Sequence, residues 1–221
     1  MAVGHVALQG ETGKHNPYNV ALGYKAMTSA SGSSNNVAIG FEAFKADALT
    51  GDDNVAIGYR AGLAVTTAAS NVMIGQNVYK TATTGNYNVI IGQEAAQSST
   101  GMDNCVVIGR QAMGGADNQG AANVAIGSNA GNNHTTGEDS VFVGRSAGSG
   151  NTSASRNVAI GKDALVALQD STNGGQNTAL GYRAAYDTTG MRNTVVGHSA
   201  GFASTSADSN VYIGYEAGAK I

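Results

Sequence analysis

Short apolar pentads recur along the whole chain and alternate with polar stretches. The pentad first reads Asn-Val-Ala-Leu-Gly at residues 19–23 and returns about every 17 residues. Its alternation of β-branched residues around one central position predicts a short strand in each unit. Twelve complete copies end at Gly23, Gly40, Gly58, Gly75, Gly92, Gly109, Gly127, Gly144, Gly161, Gly181, Gly197 and Gly214.

A second signature follows each of these glycines at a fixed distance. The third residue after the glycine is alanine in eleven of the twelve copies, and Val78 is the exception. We expect the glycine to permit a tight bend, the next residues to form a second brief strand, and the frequent Thr-Gly pairs to turn the chain back. One coil per unit predicts an all-β fold, a parallel β-solenoid of 12–13 coils stacked about 4.8 Å apart.

The repeats run through the chain without a linker, so the sequence predicts one domain over residues 1–221. Regular repeats occupy residues 19–221. Residues 1–18 form a degenerate first coil, in which His-Val-Ala-Leu-Gln at residues 5–9 is interpreted as a degraded pentad. Terminal repeats often depart from the consensus in this way.

Asparagine opens the pentad in ten of the twelve copies, and Cys105 and Ser140 replace it in the other two. A residue needed only for a turn would interchange with aspartate or glycine, which the complete copies do not show. The sequence therefore predicts a ladder of stacked amides that hydrogen-bond from coil to coil.

The residue at the centre of the pentad is never charged and is apolar in nearly every copy. We expect the flanking Val and Ile to face the inside of the coil, which leaves the central row outside. A strand that is apolar on both faces is buried on both faces, so the outer row needs a partner chain. The residues predicted at this oligomer interface are Met73, Ile90, Val107, Phe142, Val195 and Tyr212.

The composition excludes several classes of function. Charged residues make up 12% of the chain and the net charge is −3, which gives no basic surface for nucleic acid. No apolar run approaches the length of a membrane span, and no secretory signal is evident at the N-terminus. The single cysteine, Cys105, is interpreted as a buried structural residue.

Two segments match the G-x-S-x-G pattern of a hydrolase nucleophile, around Ser146 and Ser199. The same slot holds Arg60 and Glu216 in other repeats, and a nucleophile cannot be optional at a repeated position. We therefore expect no catalytic residues. The scattered histidines and turn carboxylates likewise predict no metal site and no cofactor.

Aromatic residues recur in the slot directly after the repeat glycine. They can stack on one another and stiffen the rod, or they can contact glycans, because an aromatic ring offers an apolar body to a sugar. The stacking interpretation is preferred. The residues in question are Tyr24, Phe41, Tyr59, Tyr182 and Tyr215.

The unit N-V-A-I-G-x-x-A resembles the S-V-A-I-G head repeats of trimeric autotransporter adhesins. It is still more similar to the N-T-A-I-G-Y-x-A repeats of phage tail fibres, and residues 175–201 carry the closest stretch. The resemblance implies a left-handed β-roll, three chains around a common axis, and a role as a rigid stalk or a host-contacting head.

We therefore expect a homotrimeric, non-enzymatic tail-fibre segment of a virion that contacts a glycan or protein on the host surface, without inserting into the membrane. The lack of an evident secretion signal favours a phage fibre assembled inside a cell. Two alternatives stay open at this point: the head of a bacterial adhesin at the cell surface, and an extracellular filament that assembles without a ligand.

Overall fold

Very short parallel strands joined by longer turns make up the computed structural model, which describes residues 1–10, 13–167, 175–204, 206 and 208–219. One strand lies in each coil, and the chain turns between them. The strands are β1 (Ala2–Val3), β2 (Val20–Leu22), β3 (Val37–Ile39), β4 (Val55–Ile57), β5 (Val72–Ile74), β6 (Val89–Ile91), β7 (Val106–Ile108), β8 (Val124–Ile126), β9 (Val141–Val143), β10 (Val158–Ile160), β11 (Thr178–Leu180), β12 (Thr194–Val196) and β13 (Val211–Ile213).

All thirteen strands belong to one parallel sheet, and their order in the sheet is their order in the chain. Equivalent residues of successive repeats pair with each other, as Ala38 pairs with Ala56 and Ile39 with Ile57. Each repeat therefore forms one coil. The predicted all-β parallel solenoid with a period of about 17 residues is confirmed.

The register of the first coil differs from the prediction. Ala2 and Val3 of β1 pair with Ala21 and Leu22, so the first strand lies before residues 5–9 rather than within them. Gly4 has a φ of 130°, close to the values at the other repeat glycines. The sequence Gly-x-x-Ala at residues 4–7 carries this register, and the interpretation of residues 5–9 as the degraded pentad was wrong.

Turns, not a second strand, follow each repeat glycine in the described coils. The second residue after the glycine has a positive φ, 55° at Glu42 and 54° at Arg60, whereas a strand requires strongly negative values. The amide of Ala61 donates a hydrogen bond to the carbonyl of Gly58 at 3.4 Å and closes the turn. The expectation of a second brief strand was therefore wrong.

Two features require glycine at the repeat position: a positive φ angle, and the close approach of the backbone of the next coil. At Gly109 φ is 133°, and a Cβ placed there would lie 2.6 Å from the carbonyl oxygen of Gly127 in the next coil. That distance is far below a normal contact, so no side chain fits. The predicted tight bend at this position is confirmed.

The inside of the solenoid is lined by the central residue of each strand, together with the alanine three residues after the glycine. Both Ala38 and Ala43 are fully buried. Because side chains alternate across a strand, the flanking Val and Ile point out of the coil. This is the reverse of the predicted orientation.

The residues predicted at the oligomer interface therefore lie inside a single chain. The exposed fraction is 0% for Met73, Ile90, Val107 and Phe142 and 1% for Val195, while Tyr212 is half-buried and packs against the core. Side chains without exposed surface cannot contact another chain. The assignment of the five buried residues to an interface was therefore wrong, whereas the place of the half-buried Tyr212 at an interface stays a prediction.

Large central residues fit inside because glycines make room for them. A Cβ at Gly131 would lie 2.9 Å from the ring of Phe142, and one at Gly62 would lie 3.2 Å from the sulfur of Met73. The position four residues after the repeat glycine thus becomes small where a neighbouring central residue is large. This compensation in size places both positions in the same core.

Candidate interaction surface

The first and third residues of strands β2–β13 form one side of the sheet, here called the outward face. It contains 24 positions, two in each of twelve strands, and 22 of them are Val, Ile or Leu. The other two are Thr178 and Thr194. Most of these side chains are half-buried because identical neighbours stack above and below them, and Leu22 and Leu180 are 40% and 44% exposed.

The dimensions of the outward face follow from strand geometry. Eleven intervals of about 4.8 Å give a length of roughly 53 Å, and three residues of about 3.3 Å give a width of roughly 10 Å. No charged residue occupies any of the 24 positions. An apolar patch of on the order of 500 Å² is near the upper end of what a monomer exposes, and patches of this size are often functional.

The predicted asparagine ladder is confirmed and lies beside this face. The Oδ1 atom of Asn54 accepts hydrogen bonds from the backbone amide and from Nδ2 of Asn71, both at 3.0 Å. The same Nδ2 also donates to the carbonyls of Ala69 and Gly85, at 3.0 and 2.9 Å. Each buried amide therefore joins its own coil to both neighbours and holds successive strands in register.

Cys105 and Ser140 continue the ladder with fewer bonds. The amide of Asn123 is 3.5 Å from the Cys105 sulfur, and the amide of Asn157 donates to the Ser140 hydroxyl at 3.2 Å. Burial raises the pKa of the Cys105 thiol to about 11. The thiol is therefore protonated near neutral pH and is inaccessible, as expected for a structural residue.

Aromatic side chains in the slot after the repeat glycine stack on one another in two runs. In the first run the ring centroids of Tyr24 and Phe41 are 5.1 Å apart, and those of Phe41 and Tyr59 are 5.3 Å apart. In the second run His198 stacks on Tyr215 at 5.2 Å, and its ring is tilted by 36° against that of Tyr182 at 5.0 Å. The preferred interpretation of mutual stacking is thus confirmed.

Stacking limits what these aromatics can offer to a sugar. Each inner ring has both faces against its neighbours, so its edge is the part that solvent reaches. Glycan contact by Tyr24, Phe41, Tyr59, Tyr182 and Tyr215 stays a prediction. His5 extends the first run at 5.6 Å from Tyr24. Sequence reasoning missed it because the register of the first coil was misread, although His5 follows Gly4 directly.

Charged residues contact the first aromatic run and pair with one another beside it. Arg60 lies over the ring of Tyr59 at 5.0 Å, and Arg60 and Lys45 each bind the carboxylate of Glu42 at 2.8 Å. The Lys45 ammonium, together with Arg60, lowers the pKa of Glu42. The carboxylate of Glu42 is therefore paired with two cations at this corner.

The two G-x-S-x-G serines occupy ordinary repeat positions. Ser146 and Ser199 have φ of 57° and 51°, as do the other residues two places after a repeat glycine. Neither hydroxyl bonds a histidine within the part of the chain that the structure describes. The described residues also hold no group of three histidine, cysteine, aspartate or glutamate side chains that could bind a metal ion.

A shallow groove lies on another side of the coil. Its volume is about 400 Å³, and Lys45, Asp47, Leu63, Thr66 and Thr83 are among its lining residues. None of the aromatics predicted to contact glycan lines it. Among the described residues there is no helix of the length and apolarity that a membrane crossing requires.

The fold places the chain in the class of parallel β-solenoid repeat proteins, with an apolar strand face as its most distinctive surface. No protein-family model, no curated protein and no solved structure matches the chain. The class therefore follows from the fold alone.

Proposed function

We propose that the protein is a non-enzymatic structural fibre segment whose copies associate along the outward face into a homotrimeric rod. One observation carries the proposal, the face of 24 positions, 22 of them aliphatic, that a single chain leaves uncovered over twelve coils. A solvent-exposed sheet normally alternates apolar and polar faces. Here both faces are apolar, as expected when a second layer covers the outer one.

The energy available from covering the face is large on the scale of protein association. At about 25 cal/mol per Å², burying on the order of 500 Å² per chain contributes roughly 12 kcal/mol before association entropy is subtracted. Cyclic symmetry covers the same face in every chain without leaving one exposed. The number three and a left-handed coil rest on the resemblance to adhesin and tail-fibre repeats.

The biological role extends the same resemblance. A rigid rod with stacked aromatic corners suits a shaft or head in a phage tail fibre, located in the virion and directed at a host-surface glycan or protein. The ladder of buried amides supports this role, since it resists bending and slipping between coils.

A single charge on the outward face tests the proposal. We expect Ile91→Asp to separate the copies without unfolding the chain. The side chain at position 91 points outward from β6, so water solvates the new carboxylate in the monomer. Light scattering after size-exclusion chromatography is expected to show a fall from three times the chain mass of 22.1 kDa to one chain mass.

Two control variants place the same charge nearby. Ile90→Asp introduces it into the core of the same strand and should unfold the chain, which loss of the β-sheet circular dichroism would reveal. Gln93→Asp introduces it on an exposed corner and should change neither mass nor fold. If Ile91→Asp kept the full assembly mass, the outward face would not be the contact.

A further inference from the structure

Two threonines interrupt the otherwise aliphatic outward face, and they lie in adjacent coils. Thr178 opens β11, Thr194 opens β12, and the two residues pair directly in the sheet. Both side chains are exposed. Within the described residues neither hydroxyl has a hydrogen-bond partner, so in a single chain both depend on water.

A partner that covers the outward face removes the water that hydrogen-bonds these two hydroxyls. A hydroxyl that loses water and meets only aliphatic groups pays the full desolvation penalty. A hydroxyl that meets another hydroxyl can donate one bond and accept others. The surface that covers the outward face must therefore offer polar groups opposite β11 and β12, where Thr178 and Thr194 lie, and aliphatic groups opposite the other strands.

Another copy of the same chain meets that requirement for both hydroxyls at once in one alignment. We infer that Thr178 and Thr194 set the register of self-association, so that copies lie parallel and coil matches coil. The inference rests on the proposed association along the outward face. With three copies, each threonine layer closes into a ring in which every hydroxyl donates to the next and accepts from the previous one.

Other alignments leave hydroxyls unpaired. A shift by one coil pairs Thr178 of one copy with Thr194 of the next, but it brings the second threonine of each copy against Val211 or Val158. A shift by two coils brings Thr178 against Val141 or Val211, because β11 then meets β9 or β13. An antiparallel arrangement with full overlap brings β11 and β12 against β4 and β3, where Val55 and Val37 occupy the equivalent positions. The aliphatic positions alone do not distinguish these alignments, since they repeat in every coil.

Disulfide trapping between copies measures the alignment. Reporter cysteines on the outward face are introduced into a Cys105→Asn background, which carries no other thiol. Ile91→Cys alone reports the aligned arrangement. A mixture of Ile91→Cys and Ile126→Cys chains reports a shift by two coils, and a mixture of Ile91→Cys and Val143→Cys chains reports the antiparallel one.

Reporters two coils apart lie about 9.6 Å from each other, beyond the reach of a disulfide. We expect the aligned disulfide to exceed either mixed product by about tenfold or more, given two hydroxyls per chain that only this alignment satisfies.

Removing and moving the threonine pair tests its role in setting the register. Thr178→Val with Thr194→Val preserves side-chain shape, so the fold should persist. Shifted and antiparallel associations should then compete with the closed aligned one, and mixed disulfides should rise to the level of the aligned product. Adding Val89→Thr and Val106→Thr to that variant creates an equivalent pair in β6 and β7 and should restore the aligned preference.

The outcomes separate the inference from the proposed function. A monomeric unmodified chain would contradict self-association altogether. An assembly that stays aligned without the threonines, or that traps mixed disulfides with them present, would overturn the register role while leaving self-association intact. Circular dichroism of each variant confirms that the coils are folded before trapping begins.

Discussion

At the scale of single residues, the buried asparagine side chains account for how the coils hold together. The primary amide suits this position because it accepts from one coil and donates to two carbonyls at once. The ladder could be predicted from sequence, since the residue keeps its identity where a turn former would vary. The substitutes Cys105 and Ser140 keep an acceptor for the next backbone amide but lose part of the donor capacity.

The first prediction concerns Asn71, near the middle of one unbroken stretch of the ladder. Asn71→Asp removes the two N–H donors of Nδ2, which lies within hydrogen-bond distance of three oxygens, and places a carboxylate against those acceptors. We expect a loss of about 2 kcal/mol or more in the free energy of unfolding, at about 1 kcal/mol per lost donor. Urea denaturation measures it.

Asn104→Asp is the matched control for this change, because Asn104 is exposed and lies one residue from the ladder slot. It should leave the denaturation midpoint nearly unchanged. Equal effects of the two variants would show that the ladder amides do not differ energetically from surface ones.

The second prediction follows from His134, the buried one of the four histidines. Its Nε2 lies 2.9 Å from the carbonyl of Gly137, its ring meets Phe142 edge-on, and burial lowers its pKa below the ordinary 6.5. The unfolded chain therefore binds the proton more readily than the folded chain. Stability is fully present above pH 6.5 and falls as the pH drops below that value.

Thermal unfolding between about pH 7.5 and about pH 5.5 measures this dependence, a range in which histidine is the side chain that ordinarily titrates. His134→Gln cannot take up a proton and should remove most of the change in melting temperature. A pH dependence that survives in His134→Gln would assign it to another group.

At the scale of the strand and turn, sequence and structure agree on position but not on direction. The strands lie where the pentads predicted them. The face that points inward could not be read from alternation, because all three strand positions are apolar. A further signal was present in the sequence: glycine replaces larger residues at the turn position near Met73 and Phe142, which indicates a shared interior.

The third prediction concerns the bend after each strand. We expect Gly109→Ala to destabilise the chain by about 3 kcal/mol or more, since the substitution combines an unfavourable positive φ with a clash against the Gly127 carbonyl. Gly32→Ala is the control, because Gly32 has a φ of 82° and open space around it. Similar melting temperatures for the two variants would contradict the close packing of successive bends.

The fourth prediction extends the aromatic stacking by one coil. Gln76 occupies the slot after the last ring of the first run, Tyr59. Gln76→Tyr should add a stacked pair and raise stability by about 0.5–1.5 kcal/mol. Gln76→Leu offers an apolar side chain without a ring and should give less. Equal gains in chemical denaturation would show that apolar contact, not ring stacking, stabilises this corner.

At the scale of the whole molecule, one apolar side of the sheet forms the core of the single chain, and the other apolar side is the basis of its proposed assembly. The central residues close the core of each coil, while Val and Ile of the outward face are left for a partner. Sequence reasoning predicted that a partner chain covers one side of the strands but assigned the wrong row of residues to it. That row includes Ile90, which is buried, whereas its neighbour Ile91 faces outward.

Molecular mass in solution tests most directly whether the outward face is covered by other copies of the chain. We predict that sedimentation equilibrium of the unmodified protein gives three times 22.1 kDa at low micromolar concentration, with no dissociation on moderate dilution. A folded, soluble monomer of 22.1 kDa at that concentration would contradict the account, because the aliphatic face of twelve coils would then be stable in water.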